Sequence, residues 1–479
     1  MISISKPKLL SLIIIVLSAT VGWESFVLAS PAPSVTTVVT PGSNTTLHSY
    51  TVYKDGTTTL VRNDFTGDND YSGTDTATVL QSLFTFIAGI SIPAQPVGGV
   101  PADGTQFSIG FQDGNYYFSK AVVQNFPGSP SGGIGISMYG TGDNRVSLIL
   151  NNGVNNDIFN ITNAGDIFHM SYMKLEGNKA NQSGISNCVE VSAPEIGFFH
   201  IELRDCLTDA VKIAGNGVGG NGWNVFQDTW ILSCGVAGIE VIPTKTDFRF
   251  TGSKFESCAK GIKFTGGNSA GISIVGNNFN NAGMEFSTGS IKQISIVGNA
   301  IFSAPNNAIN IVGAGLGSLT NFNIIISGNE FQTNTGTNVA VFIGNFVDGI
   351  TVTSNQFMGY TSSATVPVTL IQTAQKASTL VTQNSGMGSS WTGFGIAQPA
   401  VPASTVNQQN KNPYQIRVYI TGTGTGITAY KLTDPSGTSN TFTLTVGVGF
   451  AIDVDPYAQI ALTYTGTPTW VWYGLANLT

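Results

Sequence analysis

A nine-residue segment recurs four times in this chain, at intervals of 22 to 30 residues. Each copy alternates apolar and polar residues, passes through a turn that contains an asparagine, and ends on Phe or Ile. A strand this short cannot bury its apolar side chains alone, so consecutive copies must stack on one another. The repeat therefore predicts a solenoid with one copy in each coil. The copies are Gly271–Phe279, Gln293–Ile301, Asn323–Phe331 and Gly349–Phe357.

Each coil contains a second short strand, in which three residues alternate apolar, polar and apolar. This alternation places the first and third side chains in the core and the middle one outside. No periodicity of 3.6 residues survives between residues 105 and 390, so we expect β structure there. The second strands are Val189–Val191, Val211–Ile213, Ile239–Val241, Ile262–Phe264, Met284–Phe286 and Ile309–Ile311.

The turns of the repeat favour direct stacking. Asn277, Asn299, Asn329 and Asn355 occupy equivalent positions in the four copies. Asparagine tolerates left-handed backbone and bonds neighbouring backbone groups, and stacked asparagine amides also bond one another. We therefore predict a column of asparagines that runs from coil to coil.

Three of the four cysteines, Cys206, Cys234 and Cys258, also fall in register, followed by Ala282. We interpret them as a buried column of small residues. Thiols one strand spacing apart, about 4.8 Å, would also permit one disulfide in an extracellular protein, so the pairing stays open. Cys188 lies out of register with this column.

The N-terminus predicts export. Lys6 and Lys8 precede a mostly apolar stretch, Leu9 to Val21, and small residues follow before Pro31. This pattern is typical of a signal peptide, here residues 1–30. An uncleaved anchor is the weaker alternative, because a spanning helix needs roughly 20 apolar residues. We expect a secreted or cell-surface glycoprotein without membrane insertion after cleavage, with acceptor triplets at Asn44, Asn160, Asn181 and Asn477.

The charge content argues against a nucleic-acid partner. Charged residues make up 10% of the chain and the net charge is −7. No basic stripe is available to displace the counterions of a nucleic acid. Apolar residues make up 41%, and β-branched residues are frequent throughout, which favours folded β structure.

An upstream segment, Asp64 to Gln81, adds a motif to the repeat. It opens a predicted helix over residues 75–88, with a cap at Thr74 or Asp75 and an end at Gly89. The Ile-x-Ile-x-Gly-Asn-x-Phe coil, its asparagine ladder and this helix together resemble the pectate-lyase-like right-handed β-helix superfamily, in which such a helix caps the first coil. The apolar face of the helix is Val79, Leu80, Leu83 and Ile87.

The resemblance covers about residues 50 to 390 and implies an all-β fold. It predicts a cap region at 31–104 and a right-handed parallel β-helix at 105–392. A linker at 393–411 and a β-sandwich-like module at 412–479 follow from the local composition and strand pattern. The likeness specifies fold alone, because lyases, glycosidases, viral tail spikes and non-catalytic surface proteins share it.

Families of this fold hold polysaccharide along the outer face of the second-strand series. The resemblance therefore implies a binding role for the middle residue of each second strand. The charges of these residues alternate, so a ladder of ion pairs between coils is the structural alternative. Such pairs contribute about 0.2–1 kcal/mol each when exposed, and stacked like charges would repel. The residues are Glu190, Lys212, Glu240, Lys263, Glu285 and Asn310.

An enzymatic role would use Asp205, Asp209, Lys212 and Glu240. A lyase needs acids that hold Ca²⁺ against a substrate carboxylate and a Lys or Arg base, whereas an inverting glycosidase needs two carboxyls about 6.5–9.5 Å apart. Lys212, between Glu190 and Glu240, favours the ionised form of both, which is wrong for a general acid. The paired Asp motifs of polygalacturonases and a run of Asp for Ca²⁺ are both missing from the sequence. Ca²⁺ is thus a cofactor only in the lyase hypothesis.

The histidines and tryptophans give weaker signals. His48, His169 and His200 lack metal-ligand spacing, so no zinc site is expected. Trp223 and Trp230 share a coil, and Trp470 and Trp472 share strand parity. Exposed aromatic faces would stack on sugars, and core packing is the alternative.

Three functions follow. The leading hypothesis is an extracellular protein that recognises polysaccharide along the β-helix flank, with Glu190, Lys263, Glu285 and the four tryptophans as contacts. The second is a polysaccharide lyase or glycoside hydrolase that uses Asp205, Asp209, Lys212 and Glu240. The third is a non-catalytic shaft of an envelope layer or fibre, which would assemble as an oligomer.

Overall fold

The computed structural model of the protein describes residues 47–90, 106–126, 134–142, 145–162, 167–214, 223–242, 245–266, 269–287, 291–305, 307–312, 322–333, 339–344, 349–360, 368–370, 380–382, 384–385, 399–411, 415–421, 426–444 and 449–474. The predicted signal peptide at 1–30 and the triplets at Asn44 and Asn477 lie outside these residues. Within the described part, no helix has the length and apolar character needed to cross a membrane.

The repeats form a parallel β-solenoid, which confirms the predicted fold class. The chain passes through three sheets in turn, and each strand pairs with its equivalent in the next coil. Sheet A has 14 strands in the order Asn69–Gly73, Thr58–Asn63, Leu47–Asp55, Gln106–Phe111, Gly135–Tyr139, Ile167–Ser171, Glu195–Phe199, Asn224–Gln227, Lys245–Thr251, Ser269–Val275, Ile291–Val297, Phe322–Ser327, Ile350–Thr353 and Leu380–Thr382.

Sheets B and C have ten strands each. Sheet B contains Gly114–Phe118, Val146–Leu150, Lys174–Glu176, Glu202–Arg204, Trp230–Leu232, Lys254–Glu256, Asn278–Asn280, Ala300–Phe302, Glu330–Gln332 and Gln356–Met358. Sheet C contains Val122–Asn125, Phe159–Thr162, Val189–Val191, Val211–Ile213, Ala237–Val241, Lys260–Phe264, Met284–Ser287, Ile309–Val312, Val341–Ile343 and Val368–Leu370. The predicted second strands all belong to sheet C.

The core is a set of side-chain columns inside the coils. Phe198, Phe226 and Phe250 lie on three successive strands of sheet A, with ring centroids 5.2 and 5.1 Å apart and nearly parallel planes. All three are fully buried. Because equivalent positions repeat the same residue type, the rings stack at the strand spacing, which is close to the optimal separation for aromatic pairs.

The predicted asparagine column is confirmed, and it continues to Asn384. The amide of Asn277 donates to the Phe250 carbonyl (2.9 Å) and to Oδ1 of Asn299 (3.0 Å). The backbone N–H of Asn277 donates to the same oxygen at 2.9 Å. Each amide thus binds its own coil to the next. The same bonds join the series Asn299, Asn329, Asn355 and Asn384.

The residues before Asn277, Asn299, Asn329 and Asn355 have left-handed backbone. At Gly276 φ is +66°, and a Cβ added there would meet nothing within 4 Å. The backbone conformation, rather than lack of space, therefore selects glycine. Earlier coils place larger residues in the same conformation, at Tyr172, His200 and Asp228.

The predicted capping helix spans Thr76–Gly89. Asp75 is its N-cap and accepts from the Thr78 N–H at 3.0 Å. Gln81 then closes the open edge of sheet C: its amide donates to the Val123 carbonyl (2.9 Å), and its Oε1 accepts from the Val123 N–H (2.8 Å). The helix therefore satisfies backbone groups that the first coil would leave unpaired.

The region before the helix contains strands that the sequence pattern did not predict. Leu47–Asp55, Thr58–Asn63 and Asn69–Gly73 form an antiparallel meander. The first of these also pairs in parallel with Gln106–Phe111. Sheet A therefore starts in the cap region, before the first complete coil.

The cysteine interpretation needs a correction. Cys206, Cys234 and Cys258 are buried as predicted, but Cys206 is disulfide-bonded to Cys188, and Cys234 and Cys258 are free thiols. Cys188 lies just before the sheet C strand Val189–Val191, and Cys206 lies in the next coil's turn into that sheet. The long turn ahead of Cys188 hid this proximity from the register argument.

The C-terminal residues form two small antiparallel sheets. One has four strands, in the order Gln408–Gln409, Gln459–Thr463, Ala429–Thr433 and Ser439–Thr443. The other has three, in the order Phe450–Val454, Ile416–Thr421 and Thr469–Gly474. The segment predicted as a linker thus contributes the short strand Gln408–Gln409 to the first sheet.

Replacement of one ladder residue tests how much the column stabilises the solenoid. Asn277→Ala removes the acceptor of the Ser253 N–H and the donor to the Phe250 carbonyl, both buried. We expect the free energy of unfolding to fall by about 2 kcal/mol or more. Chemical denaturation measures the loss, with Asn278→Ala at the exposed neighbouring position as the control. An equal effect of both substitutions would contradict the role of the ladder.

The disulfide is tested by counting thiols. We expect two of the four cysteines to react with a thiol reagent in denaturant without reductant, and all four after reduction. Cys188→Ser should lower the free energy of unfolding by about 3 kcal/mol, because the unfolded chain loses a cross-link. Cys234→Ser, at a buried free thiol, is the matched control. Four reactive thiols before reduction would exclude the bond.

Candidate functional site

The middle residues of the sheet C strands form one outer column. Glu190 pairs in register with Lys212, Lys212 with Glu240, and so on along the sheet. The predicted alignment is therefore correct at every position. The column consists of Glu190, Lys212, Glu240, Lys263, Glu285 and Asn310.

The charges of this column form ion pairs between neighbouring coils. Lys212 Nζ lies 3.0 Å from Glu190, and Lys263 Nζ lies 2.8 Å from Glu240. Glu285 forms an ion pair with Lys260, which lies outside the column, with 3.2 Å between Nζ and the carboxylate. The six side chains of these pairs are 13–25% exposed. The face is therefore polar, charge-compensated and partly open to solvent.

A second ladder, of acids and an asparagine, lies beside this face. Asp157 Oδ1 accepts from the Asn187 N–H (2.8 Å), Asn187 Oδ1 accepts from the Asp209 N–H (3.2 Å), and Asp209 Oδ1 accepts from the Ala237 N–H (2.8 Å). Each of these residues comes two positions before a sheet C strand. Sequence reasoning missed Asp157 and Asn187, although that common spacing was a usable signal.

Burial changes the protonation of the two acids. Asp157 and Asp209 are 4% and 3% exposed. Burial raises the pKa of Asp209 to about 7, and the nearby Glu240 carboxylate adds to the effect. Burial likewise raises the pKa of Asp157 to about 6, opposed by the hydrogen bond from Asn187. Both acids take up protons more readily than an exposed aspartate does.

Glu240 is the neighbouring carboxyl group that acts most strongly on Asp209. It adds to the rise in the Asp209 pKa through its charge and as a side-chain hydrogen-bond partner. Lys263 Nζ lies 2.8 Å from the Glu240 carboxylate, and Asp209 is the carboxyl group whose pKa burial raises. Chemically, the arrangement is a buried acid behind a half-buried carboxylate that faces solvent. Asp209 itself is too buried for direct contact with a polymer.

Asp205 has a structural explanation. Its φ is +52°, and it occupies the same left-handed turn position as Ser233, Ser257 and Asn281 in later coils. Its carboxylate lies 3.0 Å from Nε of Arg204. Aspartate tolerates this conformation better than most residues. The structure thus places Lys212 and Glu240 on the sheet C face and Asp209 buried behind it, and gives Asp205 a role in the turn.

The tryptophans do not lie on the sheet C face. Trp223 is 55% exposed and has the Arg249 guanidinium 4.0 Å from its ring centroid, at sheet A. Trp230 is 40% exposed and has Lys254 Nζ 4.7 Å from its ring centroid, at sheet B. The two indoles therefore belong to different faces of the solenoid.

The predicted sugar contacts of Trp470 and Trp472 are wrong, and the alternative of core packing is confirmed for both residues. The two residues are only 7% and 2% exposed, and their rings meet edge to face at 5.4 Å. Trp470 Nε1 donates to the Pro399 carbonyl at 2.7 Å. Both indoles pack in the core of the C-terminal sheets, because the strand parity that they share points inward there.

The histidines that the structure describes at 169 and 200 contact acids and aromatic rings. Within the described residues, no group of three or more His, Cys, Asp or Glu side chains is placed to hold one. His169 lies 3.3 Å from Glu195, and His200 stacks on Tyr172 and lies 3.5 Å from Asp228. Ca²⁺ stays a prediction tied to the lyase hypothesis.

No protein-family model and no curated protein matches this chain. ORF18 of Geobacillus virus E2 has a TM-score of 0.45 and 13% identity, over 82% of this chain and 73% of that one. The Acinetobacter baumannii phage AM24 tailspike protein has a TM-score of 0.34 and 10% identity, over 83% and 70%. The A-module of Azotobacter vinelandii mannuronan C-5 epimerase AlgE6 has a TM-score of 0.33 and 13% identity, over 65% of this chain and 95% of that one. Likeness at this level carries no argument about function.

The buried acid predicts a pH-dependent stability. The pKa of Asp209 is about 7 in the folded protein against 3.8 for a free side chain, so the folded state binds the proton more tightly. Its stabilising contribution is complete below about pH 4 and is lost as the pH rises through about 7. Asp209→Asn keeps a side-chain oxygen that can accept from the Ala237 N–H, just as Asn187 accepts from the Asp209 N–H. We expect the variant to lose less stability than the native chain across this range.

Denaturant unfolding at a series of pH values measures this dependence. Asp113→Asn is the control, because the Asp113 side chain is 57% exposed. A decline for Asp209→Asn as steep as for the native chain would contradict the assignment.

Proposed function

We propose that this chain is an extracellular protein that recognises an extended polysaccharide along the outer face of sheet C. The observation that carries the proposal is the unbroken, in-register column from Glu190 to Asn310. Adjacent strands lie about 4.8 Å apart, so the column offers a regular line of polar groups parallel to the solenoid axis. A regular polymer is the ligand class that such a line suits.

The charges of the column also support this ligand class. Each of the lysines Lys212 and Lys263 neutralises one glutamate, at 3.0 and 2.8 Å, and Lys260, beside the column, neutralises Glu285 at 3.2 Å. A face without net charge has no strong preference for an ionic partner, yet its carboxylates and ammonium groups can accept from and donate to hydroxyl groups. Each contact is weak, but many contacts along one chain add through effective concentration.

Two features support an extracellular location. The Cys188–Cys206 disulfide is typical of an oxidising compartment, and residues 1–30 read as a signal peptide. Asn181, one of the predicted glycan acceptors, is exposed. The repeat resembles that of the pectate-lyase-like superfamily. Membership of this superfamily is supported by the three-sheet coil, the asparagine ladder and the capping helix.

A polysaccharide-cleaving enzyme is the second candidate, favoured by the carboxyl pair of Asp209 and Glu240. In a hydrolase, Glu240 would face the glycosidic oxygen and receive a proton from Asp209, with Glu190 as the second carboxylate. In a lyase, Lys212 would be the base and Ca²⁺ would neutralise the substrate carboxylate. The ion pairs that hold Lys212 and Glu240 oppose both roles, so recognition without cleavage comes first.

A panel of neutral and acidic polysaccharides tests both candidates. We expect the protein to be retained on at least one immobilised polysaccharide, with no new reducing ends and no unsaturated products. Lys212→Gln with Lys263→Gln should weaken retention about tenfold or more, because two contacts of the column are lost. Lys254→Gln is the matched control, since Lys254 is also ion-paired (2.7 Å, to Glu256) but lies on sheet B.

The remaining outcomes separate the alternatives. Products that disappear in Glu240→Gln would replace recognition by cleavage as the function. Retention that is equal in the double variant and in Lys254→Gln would move the binding away from sheet C. Neither retention nor products on any polysaccharide would overturn the proposal and leave a structural shaft.

A further inference from the structure

The outer surface of sheet A contains a crease that the repeat pattern did not predict. Asp247, Gly271, Gln293 and Asn323 occupy the same place in four successive coils and have φ values of +58°, +68°, +56° and +58°. The strand pairing skips them, for example from Thr246–Ala270 directly to Phe248–Ile272. Each of these four coils therefore has a left-handed kink in its strand at this place, and the stacked kinks interrupt the strand pairing of sheet A along one line.

The crease forms one wall of a groove of about 670 Å³. Polar side chains line it, with the indole of Trp223 at one side: Asp247, Arg249, Ser273, Gln293 and Ser295. The volume is within the usual range for a small-molecule site, about 300–1,000 Å³. Of these residues, Trp223, Asp247, Arg249 and Gln293 are exposed.

The geometry of the groove depends on specific backbone choices. A Cβ on Gly271 would lie 2.5 Å from Oδ1 of Asp247, so glycine leaves the space that the carboxylate occupies. Gln293 has the same left-handed backbone, and its exposed side chain lies on the same line. The polar groups are therefore placed by the backbone, and not merely scattered over the surface.

Arg249 fixes the other side of the groove. Its guanidinium lies 4.0 Å from the Trp223 ring centroid, which stabilises both side chains by a cation–π contact. Within the described residues, no carboxylate lies within 4.0 Å of it as an ion pair. Its N–H donors are therefore available to a ligand oxygen, next to an exposed apolar ring.

The charge of the groove selects the ligand class. Asp247 and Arg249 are the charged residues of its lining, and their formal charges cancel. A ligand with a net charge would be attracted by one of them and repelled by the other, so the groove gives it no net electrostatic advantage. A neutral sugar ring uses every group: its C–H face packs on the indole, its hydroxyls donate to Asp247, and its oxygens accept from Arg249, Ser273 and Gln293.

We propose that this groove is a second carbohydrate site, which binds one or two neutral pyranose units at Trp223 on sheet A. The site lies on a different sheet from the charged column of sheet C, and it does not depend on the function proposed for that column. Trp223 therefore contacts a sugar at a site of its own.

Tryptophan fluorescence tests the site with defined probes. Titration with neutral hexasaccharides (cellohexaose, maltohexaose, mannohexaose and xylohexaose) should change the emission with at least one of them. Trp223→Ala should weaken binding of that probe about tenfold or more, measured by calorimetry, since a central aromatic contact is lost. Arg249→Leu should weaken binding as well, because it removes the N–H donors. Tetragalacturonate is the acidic probe and should bind more weakly than the neutral probe.

Trp230→Ala is the matched control, because Trp230 is also exposed and under a cation but lies on sheet B. The double variant Lys212→Gln with Lys263→Gln should leave this binding unchanged, which separates the groove from the sheet C face. The proposal is overturned if none of the four neutral probes changes the tryptophan emission, or if tetragalacturonate binds more tightly than they do. It is also overturned if Trp223→Ala and Trp230→Ala weaken binding of the neutral probe equally.

Discussion

The register between coils is the constraint on which the rest of this structure depends. Each ladder asparagine donates to a backbone carbonyl of the coil before it and accepts hydrogen bonds from that same coil. Asn299, for example, donates to the Ile274 carbonyl and accepts from Asn277. A shift of one residue would leave several buried polar groups unpaired and turn the apolar side chains outward. Because the register is fixed, every outer position becomes a continuous column, and the surface properties of one strand extend over many coils.

The same stacking decides what the charged side chains do. In a single strand, Lys212 is one exposed cation, but in the stack it lies 3.0 Å from Glu190 and is a member of a row of ion pairs. Asp209 is a turn residue in the sequence, yet the next coil covers it and raises its pKa to about 7. The solenoid thus generates two chemically different layers: compensated charges outside, and protonatable acids directly behind them. Neither layer exists within one coil.

The repeat predicted much of this from particular residues. The alternation in Val211–Ile213 and its relatives identified sheet C and its outer column, and Asp75 with Gly89 bounded the helix. The predictions failed where the partner came from another coil. Cys188 has no spacing in common with Cys206, because the turn before it is longer than its equivalents. Trp470 and Trp472 follow a strand pattern that does not say which face is buried, and both indoles proved to be internal.

The sequence by itself determined the coil: strand alternation, a left-handed turn residue and an asparagine after it are local preferences that act within a few residues. Tertiary structure alone decided the environment of each outer side chain. It buried Asp157 and Asp209, paired Cys188 with Cys206, and aligned the left-handed kinks at Asp247, Gly271 and Gln293 along one groove. The physical reason is that burial, ion pairing and groove shape depend on the coils above and below, whose turns differ in length.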